Sequence, residues 1–284
     1  MKVNTSCEQC LYNHQLDRAK LLKDKEKEFL DRCIKIMEEN DFSAPHLSYI
    51  FDGIYREYAP LKNPYTNEKK KFNDLVLSME TMIEDKIEAS PDPLQTAIIY
   101  SRIGNYIDFS ALDHVSVDEF LNLQEKGNTI PLDNDTYALF KKKLDYGKRF
   151  MLLCDNCGEI VLDKLLIKQI QKLYPHIVCF ALVRGLDVVN DATREDAIYC
   201  GLDTICTVYD NGKAIAGTVV ELLTDELKAF LYTCDVILSK GQGNYEGMSH
   251  GNLNIFYSFL CKCDIFARRF KTDKMTGMFI YEGN

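Results

Sequence analysis

The sequence lacks the features that mark nucleic-acid-binding, membrane and secreted proteins. Its 34 Lys and Arg residues are outnumbered by 43 Asp and Glu residues, which gives a net charge of −9. This charge repels a phosphate backbone, so we predict no nucleic-acid partner. No apolar run of roughly 18 residues occurs, and no signal-peptide-like run follows Met1. We therefore predict no membrane partner and a soluble, cytoplasmic protein.

Two further absences concern cysteine and histidine. The 11 cysteines are an odd number spread from Cys7 to Cys263, so they cannot form a fully paired disulfide framework, and most should be reduced thiols. The five histidines show no metal-ligand spacing. Cys7 and Cys10 lie close together in the sequence. We interpret them as ordinary thiols, with a structural metal site or a redox pair as the alternative.

The apolar pattern changes near residue 145. From Gln15 to about Leu144, apolar residues recur every three or four positions among charges, as in amphipathic helices. Beyond Tyr146, short apolar runs alternate with helical segments, which is typical of a mostly parallel sheet. We predict an α/β fold with a three-layer, Rossmann-like sheet. Residues 1–145 would form a helical segment that packs on the site and closes over it, and residues 146–284 the α/β domain that carries the site.

Local signals place several of the elements. Strands are predicted at 150–154, 177–183, 204–208 and 236–239, with 278–281 as a further candidate, and helices near 158–173, 193–201 and 224–231. In the first half, helix starts are indicated by Ser43 before Pro45, by Asp92 before Pro93, and by the capping-box spacing of Ser116 and Glu119.

Polar side chains follow three of the apolar runs. They are Asp155 and Asn156 after 150–154, Asn190 and Asp191 after 187–189, and Lys240 and Gly241 after 236–239. In an open α/β sheet, ligands bind outside the carboxyl ends of the strands. Two carboxylates and an amide oxygen suit Mg²⁺ or Mn²⁺, and a lysine beside glycines suits a phosphate. These residues therefore predict a metal-assisted phosphate site.

Each segment also has an ordinary interpretation. A run of Asp, Asn, any residue and Gly is a good turn and helix N-cap, and Asn-Asp after a strand is usually a loop. A lysine between a strand and a Gly-rich loop is poor capping chemistry and is more suggestive. The joint placement of all three segments at strand ends favours a site.

Together, these segments resemble the damage-control metal phosphatases, a family first known as a domain of unknown function and also called the acidic-residue-methyltransferase-like domain. The segments that carry the resemblance are Asp155-Asn-Cys-Gly-Glu159, Arg184-Gly-Leu-Asp-Val-Val-Asn-Asp191 and Lys240-Gly-Gln-Gly-Asn-Tyr-Glu246. Weaker agreements are Asn105 with Asp108, Gly217-Thr218, and the Cys7-Glu-Gln-Cys10 motif of a short stand-alone branch. Cys157 departs from the family, which commonly has a small residue there, and Leu186-Asp187 lacks the family's nearby proline.

The resemblance implies a metal-dependent phosphatase that hydrolyses a small phosphorylated metabolite, such as a sugar phosphate or a phosphopantetheine-like compound, with Mg²⁺, Mn²⁺, Co²⁺ or Ni²⁺. It implies Asp155, Asn156 and Asp191 as metal ligands and Asp155, Asp191 and Lys240 as catalytic residues. The substrate-binding residues it suggests are Asn105, Asp108, Arg184, Asn190, Thr218, Lys240, Gly241, Asn244 and Glu246. Glu159 and Asp163, four residues apart on one helix face, are expected to support the metal ligands.

Two other functions stay open. An S-adenosylmethionine-dependent protein carboxyl methyltransferase has been attached to relatives of the family, but methyl transfer needs no hard metal and no phosphate-facing lysine. A non-catalytic phosphometabolite-binding protein would bind its ligand and leave it unchanged. Metal-dependent release of phosphate separates the three functions. The sequence leaves the physiological substrate and the oligomeric state unknown.

Overall fold

The computed structural model describes residue 3 and residues 5–60, 62–104, 131–251 and 253–283. In these residues, a helical half precedes the first strand. Its helices are α1 (Thr5–Ala19), α2 (Glu26–Glu39), α3 (Ala44–Arg56), α4 (Thr66–Glu88), α5 (Pro93–Ile103) and α6 (Asn134–Tyr146), with a 3₁₀ segment at Lys20–Lys25. The start of α3 after Ser43 and of α5 after Asp92 agrees with the sequence signals. The Ser116 and Glu119 signal lies outside the described residues.

The second half is a sheet with helices between its strands. Its strands are β1 (Arg149–Leu153), β2 (Val178–Val183), β3 (Thr207–Asp210), β4 (Val236–Lys240), β5 (Ile255–Leu260) and β6 (Gly277–Glu282). The connecting helices are α7 (Glu159–Leu173), α8 (Arg194–Tyr199), α9 (Asp225–Tyr232), α10 (Gln242–Met248) and α11 (Asp264–Phe270). The order is β3-β2-β1-β4-β5-β6, and β6 runs antiparallel to β5 beside otherwise parallel neighbours.

The predicted α/β class is confirmed, with differences in detail. The predicted strand at 204–208 begins too early in the sequence. A short 3₁₀ helix occupies Leu202–Thr204, and the strand begins at Thr207. The strand β5 and the helices α10 and α11 were not predicted. All six residues of β5 are buried, so its sequence shows no inside–outside alternation.

Two apolar clusters cover the two faces of the sheet and create three layers. Leu152 of β1 faces the cluster that contains α4, α5, α6 and α7. Met151, its neighbour, faces the cluster that contains α9, α10 and α11. The helices α1, α2 and α3 have a separate apolar cluster. The boundary at residues 145 and 146 stays a prediction, since α4, α5 and α6 share a core with the sheet.

The strand order also predicts where a ligand would bind. From β1 the chain continues to β2 and β3 on one side of β1, and then returns to β4 on the other side. The direction in which strands are added therefore reverses between β1 and β4. Open α/β sheets bind ligands at this switch point, outside the carboxyl ends of the strands. Among the described residues, no helix has both the length and the apolar character needed to span a membrane.

Candidate active site

The loops after β1 and β2 meet at the switch point. A backbone bridge joins Asn156 to Asp191, and the amide of Ala192 donates to the carbonyl oxygen of Asp155 at 2.8 Å. Asp155, Asn156 and Asp191 are 9%, 6% and 4% exposed, so all three side chains are nearly withdrawn from water. The structure therefore brings the three predicted metal ligands to one edge of the sheet.

Asp191 reaches this edge by a different route from the predicted one. No strand covers residues 187–189, because β2 ends at Val183 and a loop follows it. The amide of Asp191 donates to the carbonyl oxygen of Val188 at 3.1 Å, which closes a tight turn. Val189 lies in this turn with a φ of 43°, in the left-handed region. The assumption that Asp191 directly follows a strand was wrong, although its side chain arrives where it was expected.

Arg184 is the cation between the two candidate ligand carboxylates. Its Nε donates to Asp191 Oδ2 at 2.6 Å, and its Nη2 lies 3.4 Å from Asp155 Oδ1. Its Nη1 donates to Asn244 Oδ1 at 3.2 Å. The Arg184 side chain is fully buried. Burial raises the pKa of Asp191 to about 7, and the adjacent Asp155 adds to this effect, while Arg184 opposes it.

Lys240 lies at the predicted edge, but its ammonium group contacts acids. Nζ donates to Glu159 Oε1 at 2.5 Å, to Asp163 Oδ1 at 3.0 Å and to the carbonyl oxygen of Ser101 at 2.8 Å. These acceptors occupy all three donors of the ammonium group. Burial lowers the pKa of Lys240, but the carboxylates of Asp163 and Glu159 outweigh it and hold that pKa above its usual value. Burial also raises the pKa of Asp163 above its usual value and that of Glu159 to about 7.

Glu159 connects the lysine to the candidate metal ligands. The amide nitrogen of Asn156 donates to Glu159 Oε2 at 3.1 Å and to Asp155 Oδ2 at 2.8 Å. The amide oxygen of Asn156 is therefore the atom of that side chain that would bind a cation. Glu159 thus contacts Asn156 directly, whereas Asp163 contacts Lys240 and Ser101, and the support of metal ligands by both acids stays a prediction.

Two contributors from the helical half had no recognisable sequence signal. Asn73 of α4 accepts a hydrogen bond from the amide of Gly158 at 2.6 Å and so fixes the turn that begins α7. Ser101 of α5 donates its hydroxyl to Asp163 Oδ1 at 2.6 Å. Both contacts join residues more than 60 positions apart, which local patterns cannot reveal.

Glycines allow the backbone to approach the acidic side chains. Gly241 follows β4 with a φ of 80°, and a Cβ atom there would lie 2.0 Å from Asp155 Oδ2. Gly243 packs so closely on Ala216 that a Cβ atom would lie 2.5 Å from the Ala216 carbonyl oxygen. The loop that carries the fully buried Thr218 is thereby held against the start of α10. Gly241 is consequently part of the wall of the site.

The other predicted residues are placed less centrally. Asn244 is fully buried and donates to the carbonyl oxygen of Lys240 at 2.6 Å. Asn190 contributes its carbonyl oxygen, which accepts from the amide of Cys157 at 2.9 Å. Glu246 accepts from Gln242 at 2.8 Å and lines a cavity of about 590 Å³ beside Gly243. Asn105 and Asp108 lie outside the described residues.

Cys7 and Cys10 lie on α1 and line the same cavity. Neither forms a disulfide within the described ranges. These ranges also contain no group of three His, Cys, Asp or Glu side chains that could hold a metal. The structural-metal and redox alternatives for this pair, and its use as a branch marker, therefore gain no support.

The donor set at Asp155, Asn156 and Asp191 fits a hard divalent cation. It consists of two carboxylates and one amide oxygen. Mg²⁺ sites often have only one or two carboxylate ligands, and water and phosphate oxygens complete the coordination. The surrounding charges agree with this assignment. Arg184 contacts the carboxylates of Asp155 and Asp191, and Lys240 contacts those of Glu159 and Asp163. Among these six side chains, the carboxyl groups outnumber the cations by two.

Comparison with known proteins identifies the family of the chain. The family model described as the damage-control phosphatase ARMT1-like domain matches residues 3–276. The chain belongs to this family. A damage-control phosphatase from Archaeoglobus fulgidus is 34% identical over 278 residues, covering 94% of this chain and 95% of that protein. One from Pyrococcus horikoshii is 28% identical over 284 residues, covering 96% of each.

The fold agrees as well. A crystal structure of a DUF89 family protein from Pyrococcus horikoshii matches this chain with a TM-score of 0.80 at 24% identity and covers 99% of both chains. This likeness shows that the two proteins share the fold.

Proposed function

We propose that this protein is a divalent-metal-dependent phosphomonoester hydrolase that acts on a small phosphorylated metabolite. The observation that carries the proposal is the convergence of Asp155, Asn156 and Asp191 at the switch point of the sheet. The names of the relatives, which are damage-control phosphatases, support the same activity.

Asp155, Asn156 and Asp191 would hold the metal, for which Mg²⁺, Mn²⁺, Co²⁺ and Ni²⁺ are candidates. A bound divalent cation supplies charge neutralisation for the phosphate oxygens during hydrolysis. Arg184 holds the carboxylates of Asp155 and Asp191 in fixed positions, and its charge favours the ionised form of Asp191. The cation would therefore meet ligands that are already oriented.

Lys240 acts in this proposal mainly through Glu159. It fixes the Glu159 carboxylate, which in turn fixes the amide of Asn156. Direct contact of Lys240 with the phosphate would require the exchange of one of its three hydrogen bonds. Gly241, the next residue, already lies against Asp155, so the backbone after Lys240 borders the phosphate position.

The part of the substrate beyond its phosphate would occupy the cavity of about 590 Å³ beside Gly243. This volume lies within the range of small-molecule sites. Leu11 and Ile265 give the cavity an apolar wall, and Glu246 gives it an acceptor. A sugar phosphate or a phosphopantetheine-like monoester would fit this mixed surface. We place the activity in the cytoplasm.

The test is release of inorganic phosphate from a panel of phosphomonoesters after treatment with chelator, followed by addition of each metal. Asp155→Asn should lower kcat by about 10²-fold or more, the scale for losing one electrostatic contact at a reacting group. Asp210→Asn is the matched control, because Asp210 ends β3 at the same edge and pairs with Arg194 at 3.3 Å. Turnover that survives complete removal of metal would refute the proposal. Binding without phosphate release would indicate a binding protein.

A further inference from the structure

A compact group of cations lies beside the loop that leads to Asp191. A cavity of about 190 Å³ opens between α1, the end of α3, the segment that follows α3 and the loop Asp187–Val189. The charged side chains that line it are Arg18, Arg56, Lys62, Asp52 and Asp187. The carboxylate of Asp187 is already paired with Lys69 at 2.6 Å. The cavity is therefore a local site of positive charge in a protein whose net charge is −9.

Arg18 is held in place at this cavity while one of its nitrogens lacks an acceptor. Nη1 donates to Asp52 Oδ1 at 2.8 Å and to Gln15 Oε1 at 3.1 Å, and the guanidinium group stacks 4.5 Å from the centre of the Tyr55 ring. Nη2 is buried and has no hydrogen-bond partner among the residues described. A buried donor without an acceptor is costly, and native structures seldom retain one without a reason. Arg18 therefore lines the cavity with a fixed guanidinium group, one donor of which is unsatisfied among the residues described.

The opposite wall of the cavity is strained and is continuous with the active-site loop. Val189 has a φ of 43°, a region that β-branched residues rarely adopt. Asn63 stabilises this conformation, since its Nδ2 donates to the Val189 carbonyl oxygen at 2.7 Å. Strain of this kind persists at functional sites when the surroundings enforce it. Because Val188 also accepts from the amide of Asp191, an occupant of the cavity would lie one turn away from a candidate metal ligand.

We propose that this cavity is a second anion-binding site, which takes a phosphate- or carboxylate-sized group through Arg18, Arg56 and Lys62. Guanidinium and ammonium groups together suit such an anion because they combine directed donors with charge. The anion is either a second acidic group on the substrate or a free anion such as phosphate. Only the first of these sources rests on the proposed phosphatase function.

Binding of inorganic phosphate to the chelator-treated protein tests the site without any turnover. Arg56→Gln and Lys62→Gln should each raise the dissociation constant about 10-fold or more, the scale of one charged hydrogen bond. Both side chains are exposed, so these variants should fold. Arg32→Gln is the matched control, since Arg32 is a surface arginine paired with Glu57 away from the cavity. Arg18→Gln should abolish binding. Absence of phosphate binding, or equal binding by all four variants, would overturn the proposal.

Kinetics with two esters of equal length then identify the source of the anion. One is an alkyl phosphate, and the other is an alkyl phosphate that carries a terminal carboxylate. A loss of about 10-fold in kcat/KM for Lys62→Gln, confined to the carboxylated ester, assigns the anion to the substrate. Unchanged kinetics with weakened phosphate binding assign it to a free anion. Because binding is measured without metal, its failure would leave the proposed phosphatase intact, and failed phosphate release would leave the anion site intact.

Discussion

Replacing Lys240 with Met would expose how the buried charges of this protein are balanced. Met matches the length of Lys but has no charge, so Glu159 and Asp163 would lose their common cation. Both carboxyl groups and the ammonium group are fully buried. Removing one partner of a buried ion pair typically costs about 3–5 kcal/mol, a large share of the roughly 5–15 kcal/mol that stabilises a domain. We therefore expect Lys240→Met to lower the free energy of unfolding by about that amount near neutral pH.

The pH dependence of this loss is its distinguishing mark. Burial already raises the pKa of Glu159 to about 7 from 4.5, although Lys240 opposes the shift. Without Lys240 this pKa rises further, so the folded variant binds protons that the unfolded chain releases. When a group has a higher pKa in the folded state than in the unfolded state, the protein loses stability as the pH rises above the unfolded pKa. The difference between the wild type and Lys240→Met should therefore be larger at pH 8 than at pH 5.

Urea unfolding at both pH values measures this difference. Lys164→Met is the matched control, because Lys164 is also a buried lysine of the helical face and pairs with Glu80 at 2.8 Å. It should lose stability but keep metal-dependent activity. Adding Glu159→Gln to Lys240→Met should restore part of the lost stability, since one uncompensated acid is removed. A loss that is equal at pH 5 and pH 8 would refute the idea that Lys240 neutralises these acids.

Three other changes test the metal-binding side of the cluster. Gly241→Ala should abolish metal-dependent activity, since its Cβ atom would lie 2.0 Å from Asp155 Oδ2, whereas Gly53→Ala, which meets no atom within 4 Å, should be silent in the same assay. Affinity for Mn²⁺ should fall with each pH unit below about 7, because burial raises the pKa of Asp191 to about 7 and the metal must displace the proton of Asp191. Equal affinity in titrations at pH 6 and pH 8 would contradict this. Arg184→Gln should unfold at lower urea concentration after chelation, and Mn²⁺ should recover part of the difference; identical curves for wild type and variant would show that the guanidinium group is dispensable.

The residues at the strand ends were predictable because both their polar character and the preceding apolar run are visible in a short stretch of sequence. Asp155 follows an apolar run of five residues and lies four positions before the start of a helix at Glu159, and both signals are short in sequence. Parallel pairing of β1 with β2 then places the following loops at one edge without further information. The position of Asp191 was recoverable even though the strand assigned before it was wrong. Asp191 can approach Asn156 because both residues lie at the same edge of the sheet, whatever path the loop before Asp191 takes.

The partners of Lys240 were not predictable in the same way. A lysine before a glycine-rich loop suggests a phosphate contact from local pattern alone. Its observed acceptors come from residues 81 and 77 positions away in α7, and from Ser101, 139 positions away in α5. Such contacts depend on how the helices pack on the sheet. Apolar periodicity indicates which face of a helix is buried, but not which residues that face contacts. The spacing of Glu159 and Asp163 did place both on one helix face, but nothing in it identified their cation.

The two buried cations of the site divide the work of charge balance. Arg184 serves the acids that would bind metal, and Lys240 serves the acids behind them. Among these six side chains, negative charges outnumber positive charges by two when all four carboxyl groups are ionised. Buried excess charge is reduced either by protons or by a cation. Burial raises the pKa of Asp191 and of Glu159 to about 7, which favours the first of these. A divalent cation would provide the second, and a monovalent one would leave half of the excess in place. The charge of these six side chains, rather than any single ligand, therefore supports the proposal of a divalent metal.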